Sequence, residues 1–217
     1  MPKRAKSAKP SKKTQVFGAN GISYTFPQGN GGPIQIKIDF AQVPEPASFY
    51  YADSLLLTDD PDLHMVVLSF GRRDPSSNEL GDRIDVVMPA RALAPFLAST
   101  PEVEKTVGLV VASFGKAGQV RPISLPKTFA AAPTLFANAI FIAVGEGESS
   151  LDFYHLSPRQ THFAKTQKMP MQIQPAVRVI LSSVLTKYFF DILKPFTESE
   201  NPQSMIEGAK RAVIGRT

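Results

Sequence analysis

The chain has 217 residues, 43% of them apolar and 20% charged, which is the composition of a globular protein with enough apolar surface for a buried core. It contains no cysteine, so disulfides, thiolate nucleophiles and cysteine-rich zinc sites are excluded, and a cytoplasmic location is expected. The net charge of +5 is uneven: six of the 24 basic residues (Lys3, Arg4, Lys6, Lys9, Lys12 and Lys13) lie in the first 13 positions, leaving 18 against 19 acidic residues in the rest.

That opening stretch, MPKRAKSAKPSKK, lacks the large apolar side chains that would offset its ordering entropy, so residues 1–33 read as a disordered basic arm followed by a glycine-rich linker, with a short strand at Ile22 to Phe26. No apolar run approaches the roughly 20 residues of a membrane span, and no apolar segment follows the basic start, so a soluble, unprocessed protein without a membrane partner is expected.

From Ile34 the pattern changes. IQIKIDF alternates apolar and polar residues, which puts Ile34, Ile36, Ile38 and Phe40 on one face of a half-buried strand that Pro44 and Pro46 terminate. Strands are predicted at Phe49 to Leu57, Leu63 to Phe70 and Arg83 to Met88, separated by turn-forming TDDPD and DPSSNELG and paired as antiparallel hairpins. Ala90 to Ala98 reads as a short helix interrupted at Pro95, and Pro101 opens a second in which Val103, Val107, Val110, Val111 and Phe114 share one side before Gly115.

The second half repeats the programme: strands at Val120 to Leu125, Leu135 to Val144, Ser150 to Leu156 and Met171 to Leu181, then a helix capped by Ser182 or Ser183. Its apolar stripe is Val184, Leu185, Tyr188, Phe189, Ile192, Leu193 and Phe196. Pro202 to Gly215 mirrors Pro101 to Gly115 and predicts a last helix. Three blocks superimpose: Tyr51-Ala52-Asp53 on Phe136-Ala137-Asn138, Leu68-Ser69-Phe70 on Leu151-Asp152-Phe153, and Asp85-Val86-Val87 on Arg178-Val179-Ile180. An internal duplication is the simplest account. The fold class expected is α+β, with two related units of antiparallel strands followed by helices, residues 34–118 and 119–217, packed as a pseudo-two-fold pair. Asp85 and Arg178 fall at equivalent positions, where they either oppose each other across that axis or each occupy a solvent-facing strand position.

Within the second half, FANAIFIAVGEGESSLDFYHLSP followed by AVRVILSSVLTKYFFDIL resembles the bacterial and archaeal family called domain of unknown function 3467, through Phe136 to Asn138, Leu151 to Phe153, Arg178 to Val179 and the helix opening at Ser182. The resemblance covers about residues 135–196, with a diverged second copy at about 49–98 in which Ser69 replaces the Asp, Asp85 the Arg and Pro89 stands in the capping region. It implies a fold and brings no activity, cofactor or site residue with it.

The chemistry-bearing residues are sparse. His64, His155 and His162 have no metal-ligand spacing, the acidic turns at Asp59 to Asp62 and at Glu146 and Glu148 lack the ligand pattern of a calcium loop, and Ser113 lacks the setting of a nucleophile elbow. Neither an enzyme nor a cofactor or metal is expected. Polyanion contact is the pattern that remains: the six basic residues of the arm can neutralise phosphates, and Phe49, Tyr50, Tyr51 and Phe70 beside Arg72 and Arg73 can form a stacking surface on a sheet. The expected function is a non-catalytic binding module for nucleic acid or an acidic protein surface. The alternative is a protein-interaction or assembly subunit, including a homo-oligomer, with the arm as a solubilising tail.

Overall fold

The structure, a computed structural model, describes residues 17–18, 21–26, 34–60, 63–77, 79–114, 120–121, 123, 131–145, 147–157, 159, 173–195 and 213–216. The expected disordered arm, including Lys3, Arg4, Lys6, Lys9, Lys12 and Lys13, lies outside the described residues. The linker expected before residue 34 contains two strands, β1 (Phe17–Gly18) and β2 (Gly21–Phe26). β2 pairs antiparallel with the alternating segment, β3 (Ile34–Asp39). Asp39 ends β3 because its carboxylate accepts the Ala41 N–H at 3.1 Å, drawing the chain into a 3-10 turn at Phe40–Gln42.

The remaining strands are β4 (Phe49–Ala52), β5 (Ser54–Asp60), β6 (Met65–Arg73), β7 (Leu80–Pro89), β8 (Val120–Arg121), β9 (Thr134–Phe136), β10 (Ala139–Val144), β11 (Glu148–Leu156), β12 (Ile173–Ser182) and β13 (Val213–Arg216). Two runs expected as single strands, Phe49 to Leu57 and Leu135 to Val144, are each two strands, broken at Asp53 and at Ala137-Asn138. The break changes the sheet: one has the order β1-β10-β11-β12-β4, the other β8-β13-β5-β6-β7-β9. Each half therefore gives a strand, β4 or β9, to the sheet of the other, and strand pairs cross the expected boundary at residue 118 there as well as at β13-β5 and β1-β10.

Within each sheet the successive strands pair antiparallel, β5-β6, β6-β7 and β10-β11 across short connections and β11-β12 across the longer one from Leu156 to Ile173. The two exchanged strands are parallel to their neighbours, and the seams they make have corresponding registers. Phe49, Tyr50 and Tyr51 lie opposite Arg178, Val179 and Ile180, and Thr134, Leu135 and Phe136 lie opposite Asp85, Val86 and Val87. The Arg178 N–H donates to the Ser48 carbonyl and the Asp85 N–H to the Pro133 carbonyl, both at 2.9 Å. Leu68 faces Val86 just as Leu151 faces Val179.

The helices are α1 (Leu93–Ser99), α2 (Pro101–Ser113) and α3 (Ser183–Leu193). Pro95 does not interrupt α1, because it sits in the first turn, where the backbone N–H has no partner to lose. Pro101 starts α2, with Glu102 and Glu104 favourably placed at the positive end of its dipole. Ser182 caps α3 by accepting the Leu185 N–H at 3.3 Å. The helix expected at Pro202 to Gly215 is not what its end forms: residues 213–216 are β13, which supplies an antiparallel partner to the outer edge of β5, while 202–212 lie outside the described residues. Of the strand expected at Val120 to Leu125, Val120–Arg121 is paired, against β13.

One large apolar cluster joins the two main sheets and the three helices, and Leu56, Leu80 and Ile123 form a smaller one apart from it. The large cluster takes Leu57, Leu68, Phe70 and Val86 from one sheet, Ile140, Leu151, Phe153 and Val179 from the other, and Phe96, Val107, Phe189 and Leu193 from the three helices. Phe70 touches Phe153 across the sheets (ring centroids 5.6 Å) and Phe189 on α3 (6.4 Å), while Phe96 of α1 stacks parallel to Phe190 at 6.1 Å. Among the described residues, no helix is long and apolar enough to cross a membrane.

Candidate functional site

A small side chain followed by a short polar one is what lets the chain leave one sheet for the other. Ala52 and Ala137 are buried where the strands converge, and the next residue ties the turn to the neighbouring strand. The Asp53 N–H donates to the Gly71 carbonyl at 3.0 Å, and its Oδ1 accepts the Arg73 N–H at 2.7 Å. The Asn138 N–H donates to the Tyr154 carbonyl at 2.9 Å, and its Oδ1 accepts the Leu156 N–H at 2.7 Å while Nδ2 donates to the Leu156 carbonyl at 2.9 Å. A Cβ at Gly71 would meet the Leu80 side chain and lie 3.2 Å from the Asp82 carbonyl, so glycine there suits the close packing of β6 on β7.

These ties fix what the seam presents. β4 is an edge strand, and the period of two sends Tyr50 and Ala52 inward and Phe49 and Tyr51 outward. Phe49 is 64% exposed and Tyr51 50% exposed, and their rings meet edge to face with centroids 5.7 Å apart. Arg72 closes the edge: its Nε donates to the Tyr51 carbonyl at 3.1 Å and its guanidinium lies 5.2 Å from the centroid of the Tyr50 ring. The Tyr50 hydroxyl donates to the Asp82 carbonyl at 2.7 Å, and its pKa is raised by burial and then by the Asp82 carboxylate, so it remains a neutral donor.

The structure thus brings together Tyr50, Arg72, Phe49 and Tyr51. Arg73 enters through its backbone N–H on Asp53. Phe70, expected beside them, points inward and is wholly buried against Phe153 and Phe189, because its position on β6 falls on the core face.

Arg178, the register partner of Phe49, is not paired with Asp85. Its Nε and Nη2 donate to the two oxygens of Asp152 at 2.6 and 2.7 Å and its Nη1 to Glu45 at 3.1 Å, whereas Asp85 accepts from Arg83 Nε at 3.1 Å. The Asp152 carboxylate is 1% exposed, and a planar guanidinium satisfies both of its oxygens at once. Each of the two charges is neutralised by neighbours other than the other, which removes the reason to expect them to oppose.

The second seam carries a related surface that sequence reasoning missed. Phe136 on the edge strand β9 is 45% exposed and meets the His155 ring edge to face at 5.3 Å. The signal was in the sequence: in both halves an aromatic residue directly precedes the Ala-Asx pair. Among the described residues no three His, Asp or Glu side chains gather in a way that could hold a metal ion, and His162 lies outside them. Comparison with protein-family models, with characterised protein sequences and with solved structures returned no match.

Proposed function

We propose that the chain is a non-catalytic binding module for single-stranded nucleic acid, in which the β4 seam stacks bases and the basic N-terminal stretch neutralises phosphates. The observation that carries the reading is the exposure of Phe49 and Tyr51 on one face of an edge strand, beside an arginine fixed to the backbone of the same strand. Every base has a π face, so such a pair binds single strands without reading sequence. The folded part is close to neutral, and the six basic residues among the first 13 supply the complementary charge. The corresponding registers of the two seams support an internal duplication as the origin of the architecture, and the family resemblance of residues 135–196 belongs to the same proposal.

The test is binding of labelled single- and double-stranded DNA and RNA at two salt concentrations. The full chain is expected to favour single strands. Deleting residues 1–13 should leave the melting temperature unchanged and remove most of the salt dependence, while Phe49→Ala with Tyr51→Ala should weaken binding at both salt concentrations. Absence of binding, a preference for duplex, or undiminished binding by the aromatic double variant overturns the proposal. A protein-assembly role has its own observation, the exposure of Leu109 (68%) and Phe114 (39%) at α2. It predicts instead that Leu109→Ala changes association state and leaves nucleic acid irrelevant.

A further inference from the structure

We infer that the β9 seam is a second nucleic-base site, so that one chain holds a single strand at two places rather than one; this rests on the reading of the β4 seam given above. The exposed aromatic side chains Phe49, Tyr51 and Phe136 lie at the two seams. Phe136 holds on β9 the place that Tyr51 holds on β4: it lies opposite Val87 in a parallel pair, as Tyr51 lies opposite Ile180. The flanking group corresponds as well. Arg72 follows Gly71, whose carbonyl accepts from Asp53; His155 follows Tyr154, whose carbonyl accepts from Asn138. Arg72 lies over Tyr50 and bonds the Tyr51 carbonyl, whereas His155 lies directly against the ring of Phe136.

The occupant follows from charge and from shape. An edge-on His–Phe pair leaves part of the Phe136 ring open to a planar partner, and a polyanion is the partner that the acid-free basic stretch of residues 1–13 complements. The second site is the smaller, because Thr134 stands where the first has Phe49. It therefore contributes less to affinity than the first.

The experiment uses the full chain and two oligothymidylates, one of about 6 nucleotides and one of about 30, lengths chosen to cover a single stacking site and to span several. The variants are Tyr51→Ala, Phe136→Ala and Phe136→Leu, which keeps apolar bulk and loses the ring. Unchanged melting temperatures are expected, since both side chains are about half exposed. The long oligonucleotide should lose affinity by roughly 5- to 150-fold in each alanine variant, the range for removing one stacked base, with the smaller loss at Phe136. Two short oligonucleotides should bind per chain, and one in either alanine variant. Phe136→Leu should behave as Phe136→Ala.

Wild-type affinity and stoichiometry in Phe136→Ala, with Tyr51→Ala weakened, would overturn the second site and leave the first standing. Wild-type behaviour of Phe136→Leu alone would overturn stacking at Phe136 in favour of plain apolar contact. No binding by the wild-type chain, or binding indifferent to all three substitutions, would overturn both this inference and the reading beneath it.

Discussion

Asp53 and Asn138 occupy corresponding turns and solve them with different chemistry, which makes their substitutions asymmetric. Asp53 acts through an acceptor, Oδ1, which takes the Arg73 N–H and the Ser54 hydroxyl, both at 2.7 Å. Asp53→Asn keeps that oxygen and should cost less than about 1 kcal/mol, whereas Asp53→Ala leaves a backbone donor unpaired and should cost about 1–3 kcal/mol. Asn138 also donates, so Asn138→Asp sets a carboxylate against the Leu156 carbonyl and should destabilise more than Asp53→Asn does, increasingly so as the new carboxyl ionises. Urea melts of the three variants decide this; equal tolerance of Asp53→Asn and Asn138→Asp would refute it. Two tyrosines give a pH dependence. Tyr50 and Tyr154 have pKa values raised first by burial and then by Asp82 and Asp152 respectively. Their unfolded counterparts ionise near pH 10, so above that pH the folded state holds more protons than the unfolded one. Their contribution to stability is complete below about pH 10 and falls as pH rises beyond it. Tyr50→Phe and Tyr154→Phe should each flatten the drop in melting temperature between pH 9 and pH 11, taken here as about one unit either side of the ordinary value.

At the level of the elements, α3 is the piece on which packing depends most visibly. Phe189 is wholly buried, with its ring 6.4 Å from Phe70 and 6.0 Å from Phe96, so it joins a sheet to a second helix. Phe189→Ala should cost about 3–5 kcal/mol in denaturant melts, and a loss below about 1 kcal/mol would contradict the packing described. The stripe containing it was legible in sequence because helical spacing and burial coincide there: Val184, Leu185, Phe189 and Leu193 are all buried. Alternation likewise revealed the strands at Ile34–Asp39 and Ile173–Ser182. The breaks at Asp53 and Asn138 were hidden for a physical reason. A strand on either side of the break has the same apolar character, and hydrophobicity does not say which sheet a strand joins. The Pro202 to Gly215 comparison misled at its end, where Val213–Arg216 pairs with β5 as a strand, because the proline and glycine spacing carries no information about a strand partner far away in sequence. Of the candidate site, the arginine and the aromatics of Phe49 to Tyr51 could be read from proximity in sequence, while the burial of Phe70 depends on which face of β6 meets α3.

For the whole molecule, the exchange of β4 and β9 ties the halves together through two backbone seams and one continuous core. Stability should therefore be shared. Phe70→Ala, in the first half, and Phe189→Ala, in the second, are each expected to lower a single calorimetric transition as a unit, without splitting it. Two resolved transitions in either variant would show that the halves unfold separately. Charge is uneven along the chain: the part beyond residue 13 carries 18 basic and 19 acidic residues and is close to balanced, while the first 13 residues carry basic groups only. On the proposed function, salt should weaken binding through that end of the chain.

The exchanged strands also impose an order on synthesis. When the ribosome has released β4 to β7, the edge of β7 still waits for β9 at Thr134–Phe136, and β4 has no partner until β12 at Ile173–Ser182 emerges. Neither sheet can close on the nascent first half, so its hydrogen-bonding edges stay open until most of the chain has been made, and the interval in which a stray strand could pair there is built into the topology.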